Sequence, residues 1–189
     1  MLRRWIHRRL EAEAERLGAS MDYLKFIADT SLPAFLAFAA FMPMARRRRV
    51  LPPNVYAVAH LVSAHAADCG DCVQIAVNQA RQAGIAPEHV RSILENRPEA
   101  LPTVLAEPFA FARAVIHRDD APDPHRERLR SRYGNEGLIE LGYALAAGGV
   151  YPVIKRALGY DTACRLPDLN LEGTAPARNG QVRPAVPTA

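Results

Sequence analysis

Apolar side chains at Leu2, Trp5, Ile6, Leu10, Ala14 and Leu17 recur every three or four positions with charges between them, and Gly18 follows. That spacing predicts an amphipathic first helix with a glycine stop. Ser20 is placed to cap a second helix reaching Ile27. Ser31 and Pro33 supply a cap and an early-turn proline for a third. The third stretch, Leu32–Ala45, is apolar over about 14 residues, short of the ~20 that cross a bilayer, and reads as a buried helix rather than a membrane segment. Pro52 and Pro53 interrupt the chain before another helical run from Val55 to about His65. Asp68 then reads as the N-cap of a helix that carries Cys69 and Cys72 and ends at Gly84. Pro87 opens a short helix, and Val104–His117 forms the next. Residues 119–125 read as a polar linker. Glu136–Leu158 is a last apolar segment, with interruptions expected at Gly148-Gly149 and Pro152 and a stop at Gly159. No stretch alternates with period two long enough to argue a strand, so the fold class is all-α.

Three regions follow from this pattern: an amphipathic helical extension over 1–30, a compact multi-helix domain over 31–165, and a tail over 166–189. The tail is rich in Pro, Gly, Asn and Thr and reads as disordered. The composition, with 49% apolar and 23% charged residues, is that of an ordinary soluble domain. The net charge of +4 rests almost wholly on arginine, because Lys25 and Lys155 are the only lysines. Arginines gather in Arg3–Arg9, Arg46–Arg49 and Arg126–Arg132. Without interleaved aromatics or a nucleic-acid motif these are read as solvated faces, so no nucleic-acid partner is expected and a membrane surface is the lesser alternative. Three cysteines cannot close a set of disulfides, and the N-terminus has no apolar secretory core; both point to a reducing, cytoplasmic setting.

The candidate chemistry is concentrated in Cys69-Gly70-Asp71-Cys72. Two thiols three residues apart at a helix start suit redox work. The helix N-terminus stabilises a thiolate, and the second thiol lies within reach of a sulfenate or mixed disulfide formed on the first. Asp68 and Asp71 oppose that stabilisation. Inert core cysteines are one alternative. A zinc site is another, but it lacks a second ligand pair at motif spacing, so neither metal nor other cofactor is expected beyond the cysteine pair. Cys164 stands apart as a bystander thiol. His65 precedes Cys69 by four residues and shares a face with Cys69 and Cys72 if the backbone stays helical through Ala66–Asp68, where it could accept the thiol proton. His60 is a weaker candidate.

The run Leu61-Val62-Ser63-Ala64-His65-Ala66-Ala67-Asp68-Cys69-Gly70-Asp71-Cys72, followed by Ala80-Arg81-Gln82-Ala83-Gly84-Ile85, resembles the core of the carboxymuconolactone decarboxylase / alkylhydroperoxidase D-like superfamily. Gly134–Leu141 and Ile154–Gly159 resemble its closing helix, so the likeness spans roughly residues 30–160. The resemblance implies an all-helical fold assembling into trimers or hexamers. It also implies reduction of hydroperoxides, or electron relay to a protein dithiol or disulfide, through the C-x-x-C pair, with the second cysteine attacking. In such members an upstream glutamate and a histidine four residues after the second cysteine relay protons. Here that position is Ala76, and no acidic residue lies between Arg49 and Asp68. The thiols carry over and the relay does not, which leaves His65 as the expected substitute. Two further functions remain open: a non-catalytic protein binding a small apolar ligand, and decarboxylase- or lactone-type chemistry, for which His60, His65 and Glu140 are the acid–base candidates.

Overall fold

The computed structural model describes residues 1–118, 123–160 and 169. Among them the regular structure is helical, without strands: α1 (Leu2–Leu17), α2 (Asp22–Thr30), α3 (Leu32–Ala39), α4 (Met42–Ala45), α5 (Pro53–Ala66), α6 (Gly70–Gln82), α7 (Pro87–Leu94), a 3₁₀ turn (Pro98–Ala100), α8 (Thr103–His117) and α9 (Asp123–Ala157). The all-α expectation holds at that level. The 166–189 tail and Cys164 lie outside the described residues, Leu169 excepted, as does most of the 119–125 linker; positions 123–125 belong to α9.

Local signals act where the chain places them. Gly18 adopts φ 66° and closes α1, whose Ile6 and Leu10 are buried. The Ser20 hydroxyl accepts the Asp22 N–H at 3.1 Å, and α2 runs on to Thr30 rather than stopping at Ile27. The Ser31 hydroxyl accepts the Ala34 N–H at 3.3 Å and caps α3. Gly84, at φ 83°, ends α6: the Ile85 and Gly84 amides bond the Ala80 and Arg81 carbonyls, a Schellman closure.

Three expectations are corrected. Leu32–Ala45 is neither one helix nor buried: it divides into α3 and α4, and neither contains a buried residue. Pro43 has no N–H to continue the ladder of α3, so the chain turns at Ala40-Phe41 and restarts. The last helix is not interrupted at Gly148-Gly149 or Pro152; its kink is at Gly134, with φ 68° and ψ −176°. Gly148 instead sits where α9 presses closely on α5. A Cβ there would lie 2.6 Å from the Ser63 Cβ, 2.8 Å from the His60 carbonyl and 2.9 Å from the Ala64 nitrogen. Asp68 does not begin α6, as described below.

Helix α5 is the hub, packed on by α6, α7, α8 and α9. Val55, Val58 and Leu61 of α5, Val77 of α6, Phe109 of α8 and Leu141 and Ala144 of α9 form the main core. A second cluster joins Ile6 and Leu10 of α1 to Tyr23, Leu24 and Ala28 of α2, with Phe35 and Phe38 of α3 and Ile75, Ile154 and Tyr160 against it. Residues 1–30 therefore pack onto α3, α6 and the end of α9. Pro124–Ala157 is long and apolar enough to cross a membrane by length and composition alone, with 44% of its most apolar window buried inside the protein. Its Leu141, Ala144, Leu145 and Ala147 are core residues.

Candidate functional site

Helix α5 ends at Ala66, and Asp68 takes a left-handed conformation with φ 52°, its amide bonded to the His65 carbonyl at 3.1 Å. Short Asp side chains tolerate that region, so Asp68 terminates α5 instead of starting α6. Cys69 is the N-cap of α6, extended at φ −126° and ψ 107°, and Cys72 falls in the first turn. Arg156 of α9 fastens the connecting link by donating to the Ala67 carbonyl at 2.7 Å.

The two sulfurs are 2.8 Å apart, both cysteines are free, and both are buried, Cys69 fully and Cys72 to 8% exposure. The thiols are not equivalent. The hydrogen bond shared by the two sulfurs lowers the Cys69 pKa to about 6 from an ordinary 9.0, against the opposing effect of burial. The Cys72 amide closes no full capping bond on that sulfur, yet it favours the thiolate, as does Lys155; Asp71 opposes them. The same shared hydrogen bond, together with burial, pushes Cys72 far upward. The two thiols are thus driven in opposite directions, Cys69 toward the thiolate and Cys72 toward the protonated form.

Lys155 is the residue that sequence reasoning missed. Its side chain is 5% exposed, its ammonium pairs with Asp71 at 3.1 Å, and it lies 5.5 Å above the Tyr23 ring. The signal was present: in a chain with two lysines, this one falls on the buried stripe of α9 with Leu141, Ala144, Leu145, Gly148 and Pro152. Tyr23 and Tyr151 complete the surroundings, both with raised pKa values caused first by burial and then by neighbouring groups that include Cys72. Tyr151 donates to the Met42 sulfur at 3.1 Å.

The other expected residues lie elsewhere. The break at Ala67-Asp68 removes the shared face, and among the described residues His65 makes no hydrogen bond to either thiol. It is exposed and lines a separate groove with His117. His60 stacks on Tyr56 at 6.4 Å between ring centres, its Nδ1 buried without a partner, and burial lowers its pKa to about 4. Glu140 is fully buried, but its carboxylate accepts the amides of Arg49, Val50 and Leu51. Burial works to raise its pKa; these bonds outweigh it and hold the group ionised. That carboxylate fastens the turn before α5. No cluster of three or more metal-ligating side chains occurs among the described residues.

Fold and site together define an all-α protein with a buried dithiol at a helix start, its two thiols shifted in opposite directions. The chain matches no family model, no curated protein and no solved structure.

Proposed function

We propose that the chain is a thiol-dependent oxidoreductase of the alkylhydroperoxidase D-like kind, in which Cys69 and Cys72 cycle between dithiol and disulfide. The observation that carries the reading is the buried sulfur pair 2.8 Å apart at the start of α6, with the Cys69 pKa lowered by its neighbour. In the first step the Cys69 thiolate attacks the terminal oxygen of a hydroperoxide. The O–O bond breaks, the departing alkoxide takes from solvent the proton that Cys69 released on ionising and leaves as alcohol, and Cys69 becomes a sulfenic acid. Cys72 then attacks that sulfur, and water leaves with the Cys72 proton. Two thiols and one hydroperoxide thus give one disulfide, one alcohol and one water. A dithiol reductant returns the disulfide to the starting state.

Cys69 is the attacking thiol in this proposal, in place of the Cys72 that the family resemblance implies. Lys155 takes the position of charge partner that the absent histidine and glutamate leave open. Burial of both thiols favours a small peroxide over a protein disulfide as the oxidant. Decarboxylase-type chemistry is disfavoured at Glu140, whose carboxylate is occupied by the amides of Arg49, Val50 and Leu51. The same proposal takes the protein as a homo-oligomer. Ile139, Tyr143, Ala146, Val150 and Val153 follow one another along α9 at alternating four- and three-residue steps, the spacing of a helix–helix seam, with Ile139 50% and Val153 59% exposed.

Counting free thiols tests the redox reading. One equivalent of hydrogen peroxide should remove two of the three thiols, dithiothreitol should restore both, and Cys69→Ser or Cys72→Ser should abolish the paired loss. Thiols that stay unmodified in the folded protein would overturn it.

A further inference from the structure

The groove that holds His65 has a composition that the dithiol reading does not use. It encloses about 260 Å³ and is lined by Val62, His65, Ala66, Ile93, Asn96, Phe109, Arg113 and His117. Its floor is apolar and firm, because Val62, Ile93 and Phe109 are at most 6% exposed and belong to the main core. Its rim carries Arg113 and His117 of α8, His65 of α5 and Asn96 after α7, and no acidic side chain lines it. Among the described residues neither Arg113, His65 nor His117 takes part in an ion pair or side-chain hydrogen bond. Asn96 is fixed at φ 57°, its amide bonded to the Ile93 carbonyl at 3.2 Å. A guanidinium with no counterion among the described residues, two imidazoles and a carboxamide thus face one concavity whose base is already close-packed.

We propose that this groove binds a small carboxylate with a short apolar chain, its carboxylate held by Arg113 with support from the histidines and its chain laid on Val62, Ile93 and Phe109. Arginine suits such a ligand, since its planar fork meets a carboxylate through two parallel hydrogen bonds. The volume lies just under the ~300–1,000 Å³ typical of sites for drug-sized molecules, which fits a smaller ligand. The assignment is independent of whether the dithiol turns over peroxide, and it gives His65 a role away from the thiols.

Calorimetric titration of the full chain with hexanoate, hexanamide and inorganic phosphate tests the proposal. Hexanoate should bind saturably, with hexanamide and phosphate each at least tenfold weaker. Arg113→Gln should weaken hexanoate at least tenfold with the thermal midpoint unchanged, and Ala66→Phe should block the groove. Should R113Q melt early, His117→Gln serves as the second variant, with about a threefold loss expected. Absence of saturable hexanoate binding, equal affinity for hexanamide or phosphate, or affinity untouched by R113Q or A66F would each overturn it.

Discussion

The contact between α5 and α9 and the layer made by α1 to α4 are both helix packings, but they are built from different materials. At the first, Gly148 sits against the backbone of His60 and Ala64, and the Ser63 hydroxyl donates to the Leu145 carbonyl at 2.6 Å. The register is fixed by main chain meeting main chain. At the second, contact is made by rings: Phe38 meets Tyr23, Phe41 and Tyr151 with centres 5.8–6.5 Å apart, and α3 and α4 bury no residue fully. Small residues give a contact with one solution, whereas aromatic side chains on half-exposed helices can shift without losing their neighbours. The dithiol lies between the two, with Lys155 from the rigid side and Tyr23 from the softer one.

The sharpest break of this comparison is at the glycine. Gly148→Leu should cost more than about 3 kcal/mol or prevent folding, because the side chain meets backbone that cannot yield. Leu36→Ser on α3, where Leu36 is 55% exposed, should stay within about 0.5 kcal/mol. Urea denaturation of both variants checks the contrast; equal losses would remove it.

Lys155→Met acts at the seam itself. Removing one member of a fully buried ion pair costs about 3–5 kcal/mol; here about 2 kcal/mol is expected, because Asp71 retains 28% exposure. Loss of the ammonium should also raise the pH at which Cys69 becomes reactive. The double variant Lys155→Met/Asp71→Asn should recover stability without recovering the low pKa. Thermal melts and alkylation rates across pH separate the two effects.

A smaller effect tests the rigid side. Burial holds the folded-state pKa of His60 at about 4, below its ordinary value of 6.5, so the unfolded chain takes up the proton first. The stability contributed by the neutral ring is complete above about pH 6.5 and is lost as pH falls toward 4, amounting to about 3 kcal/mol at most. His60→Phe keeps a ring beside Tyr56 and should flatten the stability curve in that window. An unchanged curve would assign the acid sensitivity elsewhere.

The helices themselves were largely legible in the sequence, because their ends carry local chemistry. Gly18, Ser31, Pro53 and Gly84 act on their own neighbours and mark boundaries directly. The dithiol was legible for the same reason. What local pattern could not reveal depends on distant residues. Gly148 reads as a helix breaker until α5 is brought against it, and Lys155 reads as one more surface charge until Asp71 and Tyr23 enclose it. The alignment of His65 with the cysteines failed on one residue, Asp68, whose left-handed turn is a property of the link rather than of either helix. The apolarity of α3 and α4 misled in the other direction, since Pro43 divides the stretch and leaves both pieces half-exposed.

The central claim is that contact with Cys72 favours the thiolate form of Cys69. The pH dependence of the bimolecular rate of thiol loss with hydrogen peroxide, followed in the wild-type chain and in Cys72→Ala, tests this most directly. The wild-type rate should rise with a midpoint near pH 6 and level off by neutrality, and C72A should shift that midpoint upward toward the ordinary thiol range. A wild-type midpoint already in the ordinary range, or one that C72A leaves in place, would contradict the account.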